Sequence, residues 1–289
     1  MLFTEPAFFA FFAAVFLLHW AVSSNGLRKL LLLVASYLFY AAWDWRFLSL
    51  IFLSTIVDFV VGIVLKKEQP ILGRRTWLTL SLVTNLGVLG FFKYFNFFVA
   101  SGSGLLSAMG LDPGERTLNI ILPVGISFFT FQTMSYTIDV YRGKLKPISN
   151  PLDFALFVGF FPQLVAGPIV RAADFLPQLR QARRFPRIPF RSCLTLFFVG
   201  FFKKACISDN LAPIVDSVFA APHAYGTLSI WIAVIFYAIQ IYCDFSGYTD
   251  MAIATARALG FELRLNFDFP YLAGNITEFW RRWHISLSS

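Results

Sequence analysis

Residues 227–243, Thr-Leu-Ser-Ile-Trp-Ile-Ala-Val-Ile-Phe-Tyr-Ala-Ile-Gln-Ile-Tyr-Cys, form an apolar run without a charged side chain. A helix needs about 20 such residues to cross a bilayer. The run is continuous, whereas the strands of a membrane barrel alternate apolar and polar residues. The sequence therefore predicts an all-α, polytopic transmembrane helical bundle. The other predicted spans are 6–22, 30–43, 47–65, 77–99 and 118–138.

The composition supports this class over the whole chain. Hydrophobic residues make up 57% and charged residues 14%, against about 45–50% and about 25% in soluble domains. The formal net charge of +8 lies in short loops between apolar runs, which is typical of membrane orientation signals rather than of nucleic-acid binding. We expect a lipid bilayer as partner, no nucleic acid, and a single membrane domain over residues 1–289.

The charges of the loops predict an orientation. Basic loops follow the first and third spans, whereas the loops after the second and fourth are neutral or slightly acidic. Positive loops stay in the cytoplasm, so the N-terminus is predicted outside. The loop residues are Arg28 and Lys29; Asp44–Arg46; Lys66, Lys67, Arg74 and Arg75; and Asp112, Glu115 and Arg116.

A broken segment is predicted at 151–169. The loops on both sides of it are basic, including Arg183, Arg184 and Arg187, so one crossing between them is impossible. Asn150 caps and Pro151 opens a helix, and Pro162 with the Gly167–Pro168 pair breaks it. The segment is therefore predicted to be re-entrant, and a kinked pair of apolar pieces follows at 192–221.

A polar stripe marks the fifth span. Ser127, Thr130, Thr133 and Thr137 recur at helical spacing, and Gln132 widens the stripe. Two interpretations stay open: polar contacts between packed helices, or one wall of a hydrated tunnel.

Asp244 and Asp250 lie near the end of the run that starts at residue 227. Ionisable groups near a membrane are costly and are usually paired or functional. Arg257 follows Asp250 by two helical turns, so a structural ion pair competes with a functional role.

The C-terminal stretch combines a helix start with polar and aromatic residues. Asn275 and Glu278 have the spacing of a capping box, which predicts a helix from Ile276. On that helix Arg281, His284 and Ser288 share a face, and aromatic residues with arginine favour a membrane interface.

The remaining histidines and the cysteines are assigned no chemistry. His19 and His223 are interpreted as structural or solvated. Cys193, Cys206 and Cys243 are interpreted as small buried apolar residues, because no Cys–His spacing fits a metal site. No metal is expected.

Ordered motifs run along the chain: Leu122–Gly143, Ala166–Arg171, Phe201–Lys204 with Asp209–Ala212, Tyr242–Asp250, and Asn266–Tyr271 leading into Asn275–Ser288. They resemble the membrane-bound O-acyltransferase family and, within it, the branch of the bacterial alginate O-acetyltransferases. The resemblance implies a helical fold around a thin funnel, with cytoplasmic interfacial helices. It also implies that a cytoplasmic acyl thioester meets an acceptor hydroxyl or a relay protein.

The resemblance also implies residue roles. His284 matches the first of two family histidines, and the second, in a Trp-His-Gly context, has no match here. We therefore expect an N-terminal fragment that is inactive alone. His284, Asn275 and Arg281 are expected at the cytoplasmic mouth. The predicted tunnel residues are Asp244, Asp250, Gln132, Ser127 and Thr130.

The expected function is transfer of an acyl group, most simply acetyl, to an exported polysaccharide such as alginate at the bacterial inner membrane. Acetyl-CoA or another acyl thioester is the expected donor, no cofactor is bound tightly, and periplasmic relay proteins are expected partners. The alternatives are D-alanyl transfer to a cell-wall polymer, a transporter, and a non-catalytic scaffold of an export complex.

Overall fold

The structure, a computed structural model, describes residues 1–66, 73–110, 120–181, 185 and 188–288. Within these ranges all regular elements are helical. The predicted loop residues Lys67, Asp112, Glu115, Arg116, Arg183, Arg184 and Arg187 lie outside them. The helices are α1 Pro6–Ala21, α2 Asn25–Asp44, α3 Leu48–Leu65, α4 Arg74–Ala108, α5 Ile126–Tyr141, α6 Pro151–Gly159, α7 Phe161–Leu164, α8 Ala172–Arg180, α9 Phe190–Phe201, α10 Asp209–Ala220, α11 Thr227–Ala258, α12 Ile276–Arg282 and α13 Ile285–Ser288.

Three stretches of the described chain are long and apolar enough to cross a membrane: Asn25–Leu65, Arg74–Ala108 and Thr227–Ala258. The first contains α2, a 3-10 turn and α3. α1 is apolar but has 16 residues, fewer than the roughly 20 that a perpendicular crossing needs. These helices confirm the predicted class of helical membrane bundle, and their orientation across a bilayer stays a prediction.

The chain forms two compact units. The first unit comprises Met1–Trp43, Phe160–Val170 and Asp174–Ser289, and the second comprises Asp44–Gly159 and Arg171–Ala173. The single membrane domain over residues 1–289 stays a prediction.

The first unit is organised around α11, which packs along α9 and α10. A close approach of the α9 and α11 backbones joins two glycines. A Cβ atom on Gly200 would lie 2.5 Å from the carbonyl oxygen of Gly247, and one on Gly247 would lie 2.6 Å from that of Gly200. Small residues allow helix backbones to approach closely in membranes, so this glycine pair sets the crossing of α9 and α11.

Phenylalanines of α1 fill the space beside these helices. The ring of Phe8 stacks on Phe197 of α9 with centroids 6.1 Å apart. Phe11 meets Phe161 of α7 edge-on at 5.4 Å, and both Phe8 and Phe161 are fully buried. Some of the many phenylalanines of the sequence therefore pack between helices, whereas others are exposed on the apolar surface.

The predicted kinked pair at 192–221 is confirmed. α9 continues through a π-helical turn, Phe202–Ser208, into α10. Pro213 lies inside α10 and has no amide hydrogen for a helical bond. Asn210 donates its side-chain amide to the carbonyls of Ala205 and Cys206, 3.1 Å from each. The Asn210 side chain thus supplies hydrogen-bond donors to two carbonyls of the π-helical turn.

In the second unit α3 packs against α4, α5 and α6. Its centre is the fully buried carboxylate of Asp58 on α3. Thr137 of α5 donates a hydrogen bond to it at 2.8 Å, Asn85 of α4 donates one at 2.8 Å, and Ser81 of α4 donates another. Thr133 of α5 donates to Asn85 Oδ1 at 3.4 Å. We call these five side chains the Asp58 network.

In the same unit an arginine binds main-chain carbonyls at the ends of two helices. Arg74 at the start of α4 donates to the carbonyl oxygen of Leu65 at 2.8 Å and to that of Tyr141 at 3.0 Å. These carbonyls belong to the last turns of α3 and α5, where a positive charge is favourable.

Three predicted spans differ from the helices observed. The predicted span 30–43 belongs to α2, which starts at Asn25, so the predicted loop residues Arg28 and Lys29 lie in its first turns. The predicted span 77–99 is part of a longer helix, α4, of 35 residues. The predicted span 118–138 begins too early, because Gly125 has φ +76° and α5 starts after it, at Ile126. A left-handed residue cannot continue a right-handed helix, and glycine is the residue that adopts it without steric cost.

The predicted break at 151–169 is confirmed, although it falls at another residue. Asn150 Oδ1 accepts the Leu152 amide at 3.0 Å, so the predicted cap is present. α6 ends at Gly159, and Pro162 lies in the first turn of α7 rather than at the break, a position that tolerates proline. A Cβ at Gly167 would lie 2.5 Å from Gln163 Cα, so the chain folds tightly there.

Replacing Asp58 by alanine is expected to lower the free energy of unfolding by about 2 kcal/mol or more, because three donors would stay buried without an acceptor. Thermal unfolding of the purified protein in detergent measures the change. The control is Asp216→Ala, an exposed carboxylate on α10. Equal melting temperatures for the two variants would contradict a structural role for the Asp58 network.

Gly200→Ala is expected to cost about 1–3 kcal/mol, because its new methyl group meets backbone atoms that cannot rotate away. The matched control is Gly90→Ala in α4, where a Cβ meets nothing within 4 Å, so better helix propensity makes it neutral or slightly stabilising. The same detergent melts compare them. A Gly200→Ala protein as stable as Gly90→Ala would show that the two backbones are not in close contact.

Candidate functional site

The two predicted tunnel carboxylates of α11 are both ion-paired with the π-helical turn. Lys203 Nζ lies 2.7 Å from Asp250 Oδ2. Lys204 Nζ lies 2.6 Å from Asp244 Oδ1 and 2.6 Å from Asp209 Oδ1. Consecutive lysines can face α11 because the wider π turn changes the direction of successive side chains, and such turns are frequent at functional sites.

The predicted pairing of Asp250 with Arg257 is wrong. Arg257 Nε instead lies 3.2 Å from Glu262 Oε2, just after the end of α11. Two turns separate Asp250 from Arg257 on one helix, whereas Lys203 approaches Asp250 from the neighbouring helix. Asp250 is therefore in an ion pair, as the structural interpretation predicted, but its partner is Lys203 rather than Arg257.

Aromatic rings surround the middle of α11, from Ala238 to Phe245. Tyr242 packs against Trp283 with centroids 6.4 Å apart, and Lys203 Nζ lies 5.7 Å from the Tyr242 centroid. The hydroxyl of Tyr271 donates to the carbonyl of Ala238 at 2.6 Å. These contacts join the lysine–carboxylate pairs to the histidine segment. The rings in the cluster are Tyr242, Phe245, Phe267, Tyr271, Phe279 and Trp283.

The predicted start of α12 is confirmed. Asn275 is the N-cap, and its Oδ1 accepts the Glu278 amide at 2.8 Å. In a capping box the Glu278 side chain would accept the backbone amide of Asn275. Here Glu278 Oε2 instead accepts the amide of Gly274 at 2.9 Å. That amide, together with the Arg282 guanidinium, holds the pKa of the Glu278 carboxyl below its usual range. The side chain of Asn275 is thus occupied by the cap.

The predicted shared face of Arg281, His284 and Ser288 is wrong, because the helix does not continue. α12 ends at Arg282, Trp283 is extended, and His284 has φ +46° before α13 begins. Arg281 is exposed on the other side of this break. Non-glycine residues in the left-handed region are uncommon and cluster at functional sites.

The imidazole of His284 is half-buried beside α11. Its ring meets Phe245 edge-on with centroids 4.7 Å apart. Burial lowers the pKa of His284 below its ordinary value, since a low-dielectric setting disfavours the charged form. A neutral imidazole at neutral pH is the form that accepts a proton.

The remaining predicted tunnel residues belong to the second unit. Gln132 donates to the carbonyl of Phe157 in α6 at 2.6 Å, and Ser127 is half-buried. The Thr130 hydroxyl is buried and has no hydrogen-bond partner among the residues that the structure describes. With the Asp58 network, these contacts fit the interpretation of polar packing between helices, and the tunnel stays a prediction.

An apolar cavity of about 260 Å³ lies between α1, α9 and α11. Phe12, Phe197, Ala254 and Cys193 are among its lining residues, and the lining includes none of the predicted site residues. A carbon-lined space without convergent polar groups is suited to packing or to an apolar ligand rather than to acyl transfer.

The other histidines and two cysteines follow their predictions. His19 is buried against Trp20, and His223 is exposed in a 3-10 turn. Cys193 and Cys243 are buried, whereas Cys206 is exposed, contrary to its prediction.

Sequence reasoning gave no role to Asp58 or to Lys203 and Lys204. A usable signal existed for Asp58, because it is the one acidic residue in the apolar run of α3. The lysine pair stands out in the same way between apolar residues of α9 and α10. The donors around Asp58 and the α11 partners of the two lysines lie far away in sequence and could not be named, whereas Asp209 follows Lys204 by 5 residues.

The fold and the histidine turn define a polytopic helical membrane protein with a polar site beside residues 244–250 of α11. Comparison with known proteins gives its family. The model of the MBOAT family, described as the membrane-bound O-acyltransferase family, matches residues 142–289. The chain belongs to this family.

Curated relatives match the whole chain. It is 43% identical to Probable alginate O-acetylase AlgI of Azotobacter vinelandii and 37% identical to Peptidoglycan O-acetyltransferase of Helicobacter pylori, with 100% of the chain covered in both. It spans 58% and 60% of those two relatives. Teichoic acid D-alanyltransferase of Bacillus subtilis is 29% identical over 61% of the chain and 45% of that protein.

His284 is expected to titrate below about 6.5, its usual value, because burial favours the neutral ring. The unfolded chain binds this proton more readily, so the contribution of His284 to stability is lost as the pH falls below about 6.5. Hydrogen exchange at the imidazole C2 position, followed by mass spectrometry across pH, measures the titration. A midpoint at or above 6.5 would show that the ring is solvated.

Proposed function

We propose that this protein is the membrane part of an O-acyltransferase that moves an acetyl group from a thioester to hydroxyls of an exported polysaccharide. The observation that carries the proposal is similarity over the whole chain to two groups of relatives. One is named for O-acetylation of alginate and the other for O-acetylation of peptidoglycan. Both names describe acetyl transfer to a glycan, although the acceptors differ.

The histidine turn supplies chemistry that fits this reaction. Transfer from a thioester to a hydroxyl needs a base for the hydroxyl proton and donors for the developing oxyanion. His284 is half-buried with φ +46°, and burial lowers the pKa of its imidazole, which favours the neutral ring. A neutral ring is able to hydrogen-bond a thioester or accept a proton. We assign it a supporting role in orienting the donor, because the second family histidine has no match among His19 and His223.

The donor in this proposal is acetyl-CoA or another acyl thioester in the cytoplasm. Arg281 is the exposed cation beside the turn, where it is able to meet the phosphates of a coenzyme A donor. Asn275 contributes through the cap of α12 rather than through a free side chain.

The location and partners follow from the same chemistry. A cytoplasmic donor and an exported acceptor require a protein in the bacterial inner membrane, with the basic loops inside and the N-terminus outside. Periplasmic relay proteins are the partners that would receive or pass on the acetyl group.

D-alanyl transfer is the second candidate. It is supported by the similarity to teichoic acid D-alanyltransferases, which covers 61% of the chain at 29% identity. The two candidates differ in the donor, so membranes supplied with acetyl-CoA or with a D-alanyl carrier thioester separate them.

His284→Ala is expected to lower acetyl transfer to the polysaccharide by at least about 100-fold, because an aligned acid–base or donor-orienting group contributes about that much. The variant is expressed from the complete reading frame in a strain without its own copy, and polymer-bound acetyl is measured. The matched control, His223→Ala, removes an exposed histidine and is expected to leave transfer unchanged.

Wild-type acetylation by His284→Ala would remove this residue from the site. A wild-type protein that supports polymer export without any acetyl transfer would overturn the enzyme proposal and favour a transporter or scaffold.

A further inference from the structure

Two short segments pair on either side of His284. The amide of Asp268 donates to the carbonyl of Arg282 at 3.0 Å, and the amide of Ile285 donates to the carbonyl of Asn266 at 2.9 Å. The backbone is therefore fixed both before and after the left-handed residue. A single turn with free ends would relax to a more favourable φ.

A buried pair of side chains reinforces this arrangement. Asn266 is 1% exposed and Ser286 is 7% exposed. Asn266 Oδ1 accepts hydrogen bonds from the Ser286 amide at 3.1 Å and from the Ser286 hydroxyl at 2.8 Å. Two donors on one oxygen settle which end of the amide faces Ser286.

The same hydroxyl reaches the broken segment after α7. The amide of Ile169 donates to Ser286 Oγ at 3.0 Å. The Ser286 hydroxyl thus donates to Asn266 and accepts from Ile169 at once. It ties the turn to the chain just after the Gly167–Pro168 pair, where tight packing fixes the backbone.

We propose that Asn266 and Ser286 are positioning residues for His284, holding it in its left-handed turn beside α11 so that the imidazole meets the acyl donor. The inference rests on the proposed function of His284 and names the residues through which its position is set. Neither side chain touches the donor in this proposal. Their effect on transfer arises from where the imidazole lies, since displacement by about 1 Å costs up to about 100-fold in rate.

The test uses four variants of the full-length protein. Ser286→Ala removes the hydroxyl from both of its bonds, and Asn266→Ala removes the shared acceptor. Asn266→Asp retains an oxygen acceptor and serves as the conservative rescue. Ser288→Ala is the matched control, because its hydroxyl is exposed and donates within α13, to the Ile285 carbonyl at 3.3 Å.

Two readouts separate positioning from a general loss of structure. With acetyl-CoA as donor, Ser286→Ala and Asn266→Ala are expected to lower kcat between about 10- and 100-fold, with KM and the folded yield changed less than about threefold. Asn266→Asp is expected to recover most of kcat, and Ser288→Ala to match wild type. In C2 hydrogen exchange, His284 of both alanine variants is expected to titrate closer to about 6.5, as the released ring gains solvent.

The outcomes are decisive in each case. Wild-type kcat and an unchanged His284 titration in Ser286→Ala would overturn the proposal. If Ser286→Ala does not accumulate, the comparison of Asn266→Ala with Asn266→Asp carries the test, and equal values for the two would overturn it. If wild-type protein transfers no acetyl group, the proposed function fails, and the titration alone decides whether the pair holds the turn.

Discussion

A polar group surrounded by apolar helices is costly without a partner inside the protein, and this constraint governs the Asp58 network and the lysine–carboxylate pairs. In hydrocarbon an unsatisfied group costs several kcal/mol. The Asp58 carboxylate accordingly accepts bonds from three side chains of α4 and α5. Lys203 and Lys204 are each matched to carboxylates. In these clusters the polar residues therefore stabilise contacts between helices. A functional site has to lie beside such contacts.

Local signals in the sequence predicted local structure well. The apolar run from residue 227, the Asn150 cap with Pro151, and the Asn275 cap each depend on residues within a few positions, and all three are observed. Signals that depend on distant partners were missed or misassigned. Asp58 meets Thr137 across 79 residues. Asp250 meets Lys203 rather than the cation on its own helix, because π-helical geometry aims that lysine at α11.

The candidate site shows the same division. His284 was singled out through the resemblance of its neighbours to a family motif, and helical spacing placed it on a continuous face with Arg281. That placement failed because the Asp268 amide donates to the Arg282 carbonyl and the Ile285 amide donates to the Asn266 carbonyl where the helix stops. Asn266 and Asp268 both precede α12 in sequence. Periodicity assumes that a helix continues, so it cannot show where another segment stops it. The tunnel residues of the second unit remain predictions for the same reason, since their surroundings are set by α3, α4 and α6.

The glycine contact between α9 and α11 has an evolutionary consequence. The atoms that a new methyl group would strike at Gly200 include the main-chain carbonyl of Gly247, and the reverse holds at Gly247. Trimming a neighbouring side chain cannot remove a carbonyl oxygen, so a second substitution elsewhere has little means of compensating for the first. Suppressor screens starting from either change should return mainly reversion to glycine, and the two positions should drift in descendants of this gene more slowly than the phenylalanines that pack around them.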